Sequence, residues 1–84
     1  MRVSVKKLVV DGYQCRSLVR TEDVDGSFVR EGAKWAFGDK IEVVESVLYL
    51  IDCGWVEVQM VSENSDPNRL DATVDEHLAH GWKE

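Results

Sequence analysis

The chain has 84 residues, of which 44% are hydrophobic and 31% are charged, and its net charge is −6. This length and composition are those of one globular domain spanning residues 1–84, and they exclude a disordered chain and a membrane-spanning one. The excess of acidic residues also argues against direct binding to nucleic acid, which needs a basic face.

The charge is distributed unevenly along the chain. Residues 1–40 carry eight Lys or Arg and six Asp or Glu, a sum of +2, whereas residues 41–84 carry two and ten, a sum of −8. The acidic half either keeps a small protein soluble or meets a basic partner surface. The first residues, Met1–Lys7, lack the apolar run of a signal peptide, so we expect a cytoplasmic protein.

Two Asp-Gly pairs divide the first thirty residues into short β-rich segments. Asp11-Gly12 and Asp25-Gly26 are typical of tight turns between strands, since Gly adopts positive φ at no steric cost. Tyr13, Cys15 and Val19 alternate with Gln14, Arg16 and Arg20, which predicts a half-buried strand with Cys15 facing inward. Trp35 and Phe37 share one face of the next short strand and are expected to cap the core.

The segment from Ser46 to Cys53 fits two structures. Its apolar residues fall on one helical face, with Ser46 as N-cap and Gly54 after the end. The same residues also fit a strand buried on both faces, followed by a short hairpin loop. We expect the helix, between a strand at Ile41–Val44 and another at Trp55–Val61.

The C-terminal part predicts an amphipathic helix over residues 67–80. Asp66-Pro67 is a favourable helix start, and Gly81 closes the helix. An apolar stripe recurs every four residues, at Leu70, Val74, Leu78 and Trp82. The predicted fold is therefore α+β: an antiparallel meander of about five short strands with one short middle helix, forming a β-rich core over residues 1–61, and a C-terminal amphipathic helix.

No residue set in the sequence supports catalysis or a cofactor. His77 and His80, with Cys15 and Cys53, supply the side chains of a zinc site, but the cysteines lie 38 positions apart and zinc sites usually pair them closely. The acidic residues at 22–25 lack the spacing of a calcium loop. We expect both cysteines to be free thiols in the core, and we expect no enzyme activity, no metal site and no cofactor.

Binding is the function that the composition favours. Tryptophan is enriched in binding hot spots, and exposed carboxylates suit a basic partner. The residues expected to contact a partner protein are Asp71, Asp75, Glu76, Trp82 and Trp55. The residues expected to mediate self-association, as in a homodimer, are Leu70, Val74 and Leu78.

The middle of the chain carries a short motif at Gly38-Asp39, Ile41, Val43, Glu45, Leu50-Ile51, Gly54, Val56 and Glu57. In this motif a Gly-Asp pair leads into a Val-rich strand, then a short helix that ends Leu-Ile-x-x-Gly, followed by an apolar residue and Glu. The motif resembles a segment of small phage and prophage accessory proteins. The resemblance covers about a quarter of the chain. It departs from the pattern at Val47 and Leu48, where an alanine is usual early in the helix.

That resemblance implies a phage-encoded protein acting in the host cytoplasm. By size and acidity alone, the chain is also similar to anti-CRISPR proteins, which inhibit a host defence complex by occupying one of its surfaces. The first hypothesis is a non-catalytic, acidic inhibitor that binds a basic surface of a host protein complex. The alternative is a virion assembly adaptor that self-associates through its C-terminal helix.

Overall fold

The computed structural model describes residues 1–11, 14–38, 40–63 and 74–84, and these form a mostly β structure. The strands are β1 (Arg2–Asp11), β2 (Gln14–Asp23), β3 (Lys34–Phe37), β4 (Lys40–Leu50) and β5 (Trp55–Ser62). Short 3-10 turns lie at Gly26–Phe28 and Ile51–Cys53, and the one α-helix among the described residues is α1 (Val74–Ala79).

The five strands form a single mixed sheet in the order β2-β1-β5-β4-β3. β1 and β2 form an antiparallel hairpin from Arg2↔Asp23 to Asp11↔Gln14, so the hairpin predicted around Asp11-Gly12 is confirmed. β3, β4 and β5 follow as antiparallel neighbours. β5 then lies parallel to β1, which places the first and the last strand of the chain side by side in the sheet.

The predicted fold class is wrong at two points. No helix forms at residues 46–53: Ser46–Leu50 extends β4, pairing from Ser46↔Gln59 to Leu50↔Trp55, and only Ile51–Cys53 turns, as a 3-10 turn. The sheet is also not an antiparallel meander, because β1 and β5 are parallel. The apolar run has no period that separates helix from strand, so its long-range pairing with β5 decides the structure.

The second Asp-Gly pair starts a turn rather than a hairpin. The Asp25 carboxylate accepts a hydrogen bond of 2.9 Å from the backbone N–H of Ser27 and caps the 3-10 turn Gly26–Phe28. The backbone N–H and the side chain of Ser27 lower the pKa of Asp25 below its ordinary value. This turn carries the chain from β2 to β3, which lie at opposite edges of the sheet.

One face of the sheet holds the hydrophobic core. Trp35 and Phe37 are buried on this face, as predicted. The buried apolar residues of the strands are Val3, Val5, Val9, Leu18, Trp35, Phe37, Val44, Val58 and Met60. These side chains lie on every strand, so this face of the sheet needs a cover that excludes water.

The C-terminal segment supplies that cover between β2 and β3. The Trp82 ring packs edge-on against Phe37 at 5.4 Å between centroids, and the Arg20 guanidinium lies 4.2 Å from the Phe37 centroid. Lys83 then pairs with Val19 on the outer edge of β2. The predicted C-terminal helix is present over Val74–Ala79, its expected first part lies outside the described residues, and Gly81 (φ +95°) follows its end.

Trp82→Ala should destabilise the fold far more than Trp55→Ala. Trp82 is 2% exposed and Trp55 37% exposed, so only the first substitution opens a cavity in the core. We expect a loss of about 3–5 kcal/mol in the free energy of unfolding for Trp82→Ala and under about 1.5 kcal/mol for Trp55→Ala. Urea denaturation followed by circular dichroism measures both, and equal losses would contradict the role given to Trp82.

Candidate protein-binding surface

The residues expected to contact a partner do not share one surface. Asp75 and Glu76 are exposed on α1, and Trp55 is partly exposed at the start of β5. Trp82 is buried, which corrects the expectation that it anchors a partner: it fastens the C-terminal segment to the sheet instead. Asp71 lies outside the described residues.

Helix α1 and Trp55 lie toward opposite ends of β5. His77 on α1 contacts Lys7, and Lys7 contacts Ser62, the last residue of β5, whereas Trp55 is the first. A strand of eight residues separates its ends by roughly 23 Å. The acidic helix and Trp55 therefore belong to different candidate surfaces.

The apolar stripe expected to mediate self-association is divided. Val74 is 3% exposed and packs into the core, Leu78 is 39% exposed, and Leu70 lies outside the described residues. Val74 and His77 are one helical turn apart and both face the sheet, and Leu78, one turn after Val74, lies at the margin of this contact and stays partly exposed. Val74 is thus occupied by the protein's own core and is not available to a second subunit.

A buried polar cluster joins α1 to the sheet. Its centre is Lys7, whose Nζ lies 2.5 Å from Glu42 Oε1, 2.7 Å from Ser62 Oγ and 2.8 Å from His77 Nε2. Lys7, Glu42 and His77 are each at most 3% exposed. Because an ammonium group only donates hydrogen bonds, Nε2 of His77 is the acceptor, which places the imidazole proton on Nδ1. The cluster links three strands and the helix.

The cluster has the groups of a serine nucleophile and a lysine base, but not their arrangement. Lys7 forms an ion pair with Glu42, and an ammonium group has no lone pair with which to take a proton from Ser62. Glu42 Oε2 is buried and has no hydrogen-bond partner among the described residues. The contacts therefore indicate that the cluster anchors α1 to the sheet.

The sequence contains a signal for this cluster, although none of its residues is among the predicted site residues. Val3, Val5 and Val9 alternate on β1 and are buried, and Lys7 lies in the same phase. A lysine on the inward side of a strand requires a buried acceptor, because an unpaired buried charge is very costly. The pattern therefore demanded a partner for Lys7, although nothing in it pointed to Glu42, 35 positions away.

The cysteines and histidines are separated rather than gathered. Cys15 and Cys53 are free and exposed, so the expectation that they lie in the core is wrong. Across the described residues, no group of three His, Cys, Asp or Glu side chains could hold a metal ion. Within the same residues, no helix has the length and apolar character that crossing a membrane requires.

The outer face of the sheet, opposite the core, is unusually apolar. On a solvated sheet face, polar side chains are expected to alternate with the buried ones. Here Lys6 and Gln59 border a shallow depression of about 320 Å³ that Leu8 and Val61 also line. The exposed large apolar residues of this face among the described residues are Leu8, Val10, Ile41, Leu48, Trp55 and Val61. Larger exposed apolar patches are typical of contact with another protein.

Comparison of the chain with protein-family models, with curated proteins and with solved structures gives no match.

Replacing one partner of the buried Lys7–Glu42 ion pair should lower the free energy of unfolding by much more, per residue replaced, than replacing both partners together. Lys7→Met leaves Glu42 charged and buried, and Glu42→Met does the same to Lys7, so each single change should cost about 3–5 kcal/mol in the free energy of unfolding. The double variant should cost clearly less than the sum of the singles.

The matched control is Lys34→Met, since Lys34 forms an exposed ion pair with Glu63. Its cost should stay under about 1 kcal/mol. The four variants are compared by urea denaturation, and strictly additive single losses would show that Lys7 and Glu42 do not depend on each other.

Proposed function

We propose that this protein is a non-catalytic protein-binding module that inhibits a host protein complex by occupying a basic surface on it, as a phage-encoded, anti-CRISPR-like protein. The observation that carries the proposal is the exposed acidic face of α1, formed by Asp75 and Glu76. The other side of the helix contacts the sheet through Val74 and His77.

The fixed position of α1 makes its carboxylates suitable for recognition. Isolated helices of this length do not persist in water, so the orientation of Asp75 and Glu76 depends on the contacts of Val74 and His77 with the sheet. Side chains on a pre-ordered element lose less entropy when they bind. No described residue forms an ion pair with Asp75, so its charge remains available to a partner.

The charge of the rest of the protein also favours a basic partner. Several basic residues are already neutralised by neighbouring carboxylates, including Lys7, Arg20 and Lys34. Each pair removes one charge of either sign, and Glu42 and Glu63 belong to residues 41–84, so the net charge of −6 is unchanged and its field favours the approach of a basic partner. Such a field accelerates association with a basic surface and is screened by salt.

The test is capture of binding partners from a bacterial lysate by the tagged protein, at about 50 mM and about 500 mM salt, with mass spectrometry as readout. We expect a defined protein complex at low salt and its loss at high salt. Asp75→Lys combined with Glu76→Lys should abolish capture, because it reverses the two charges that meet the partner.

The matched control is Glu31→Lys combined with Asp52→Lys. These two exposed carboxylates lie in turns away from α1, and the change in net charge is the same. Capture should survive in this control. Equal loss in both double variants would show that total charge, and not the face of α1, controls binding; absence of any captured complex from the relevant host would refute the proposal.

The alternative of a virion adaptor that self-associates through the C-terminal helix has less support. It requires Leu70, Val74 and Leu78 to be available together, and Val74 is buried in the core.

A further inference from the structure

The edges of the sheet are protected unequally. On β2, the backbone N–H of Val19 donates to the carbonyl of Lys83 at 2.7 Å, and the N–H of Lys83 donates back at 2.9 Å. Arg16 on the same strand forms an ion pair of 2.9 Å with Glu84. Charged side chains and a short covering segment are the usual means of preventing an edge from pairing with another chain.

The opposite edge is covered over only half its length. β3 pairs with Lys40–Val43, and Val44 still exchanges hydrogen bonds with Gly32 and Ala33. From Ser46 to Leu50, β4 pairs only with β5 among the described residues. Alternate backbone groups of this segment therefore face outward, unpaired by any described strand.

The open segment lacks the charged residues and the proline that often guard an edge, and the β-bulge of β4 lies just before it, between Val44 and Ser46. Ser46–Leu50 contains no charge and no proline, in a protein of net charge −6. Leu48 is 55% exposed and Tyr49 is 58% exposed. β-branched, aromatic and leucine side chains beside free backbone groups are favourable for strand pairing.

We propose that the open half of β4 (Ser46–Leu50) pairs antiparallel with the same segment of a second copy, joining two five-stranded sheets into one across a two-fold axis. An axis at Leu48 places Leu48 opposite its own copy and Val47 opposite Tyr49 on the core-side face. Both contacts are apolar, and aromatic–β-branched pairs across strands are stabilising. The segment is self-complementary because it brings no like charges together.

The charge of the protein separates this pairing from the binding proposed for α1. Two copies of net charge −6 repel each other at a distance, whereas the contact itself is uncharged. Salt should therefore strengthen the dimer and weaken capture by the acidic helix. Because the dimer is measured on the purified protein alone, its failure and the failure of the proposed function are distinguishable.

The first experiment is sedimentation equilibrium of the wild-type protein at about 50 mM and about 500 mM salt. A dimer that is tighter at high salt is expected. Leu48→Lys places two ammonium groups opposite each other at the axis and should raise the dissociation constant about tenfold or more.

The matched control is Leu8→Lys, which introduces the same charge at an equally exposed leucine on the same face, but on a central strand. Its dissociation constant should stay within about twofold of wild type. A wild-type protein that is monomeric at every concentration, or equal effects of the two substitutions, would overturn the proposal.

Disulfide cross-linking tests the register of the pairing. In a protein carrying Cys15→Ser and Cys53→Ser, Leu48→Cys should form an intermolecular disulfide, since directly opposed residues lie about 5 Å apart at Cα. Ser46→Cys should not, because the two copies of that position are separated by roughly 13 Å along the strands. Equal cross-linking of both would overturn an axis at Leu48.

Discussion

The fold depends on the buried cluster around Lys7. Three strands contribute to it, through Lys7 on β1, Glu42 on β4 and Ser62 on β5, and His77 brings the helix. A six-residue helix has little stability of its own, and Val74 alone gives it a small apolar contact. The ammonium group of Lys7 supplies directed bonds that fix where α1 lies, which apolar packing alone specifies less tightly. The cover of the core, and with it the position of the acidic side chains, follows from this contact.

The same arrangement divides the molecule into surfaces of different character. α1 and Trp82 cover part of the core-side face, and α1 presents carboxylates outward. Among the described residues, the outer face of the sheet carries no such cover and exposes apolar side chains. The edges differ as well, since the C-terminal residues shield β2 while half of β4 has no neighbour on its outer side among the described strands. Each surface thus suits a different kind of contact. Salt should weaken binding through the acidic helix, but it should not weaken contacts made by the uncharged edge of β4.

The sequence predicted those features that depend on neighbours in the chain. The β1–β2 hairpin followed from Asp11-Gly12, and the burial of Trp35 and Phe37 followed from their spacing. The prediction of a middle helix was wrong because an apolar run of this length fits either a helix or a strand. Its long-range pairing with β5, which the local sequence does not show, makes it a strand. The parallel contact of β1 with β5 joins distant segments and leaves no local signal.

The candidate site shows the same limit. The inward phase of Lys7 can be recognised on β1, but its acceptor on β4 becomes known only when the sheet order places the two strands on either side of β5. Trp82 was similarly expected to contact a partner, and only its packing against Phe37 across the core shows that it is buried instead. The exposure of Asp75 and Glu76 was easier to predict. Once Val74 faces the sheet, the helical period places both carboxylates on the solvent side, whichever residues the helix packs against.

The two proposed contacts are compatible in one assembly, and that compatibility has a consequence for affinity. The open half of β4 pairs with the first residues of β5, whereas α1 lies over the last ones. Pairing of two β4 edges therefore leaves both acidic helices exposed, one on each side of the two-fold axis. A partner assembly with repeated basic surfaces could engage both, and the second contact would then form at the high effective concentration set by a rigid sheet. Dimerisation through the uncharged edge of β4 would in this way strengthen the binding of the acidic helices to a basic partner, although the edge itself does not touch that partner.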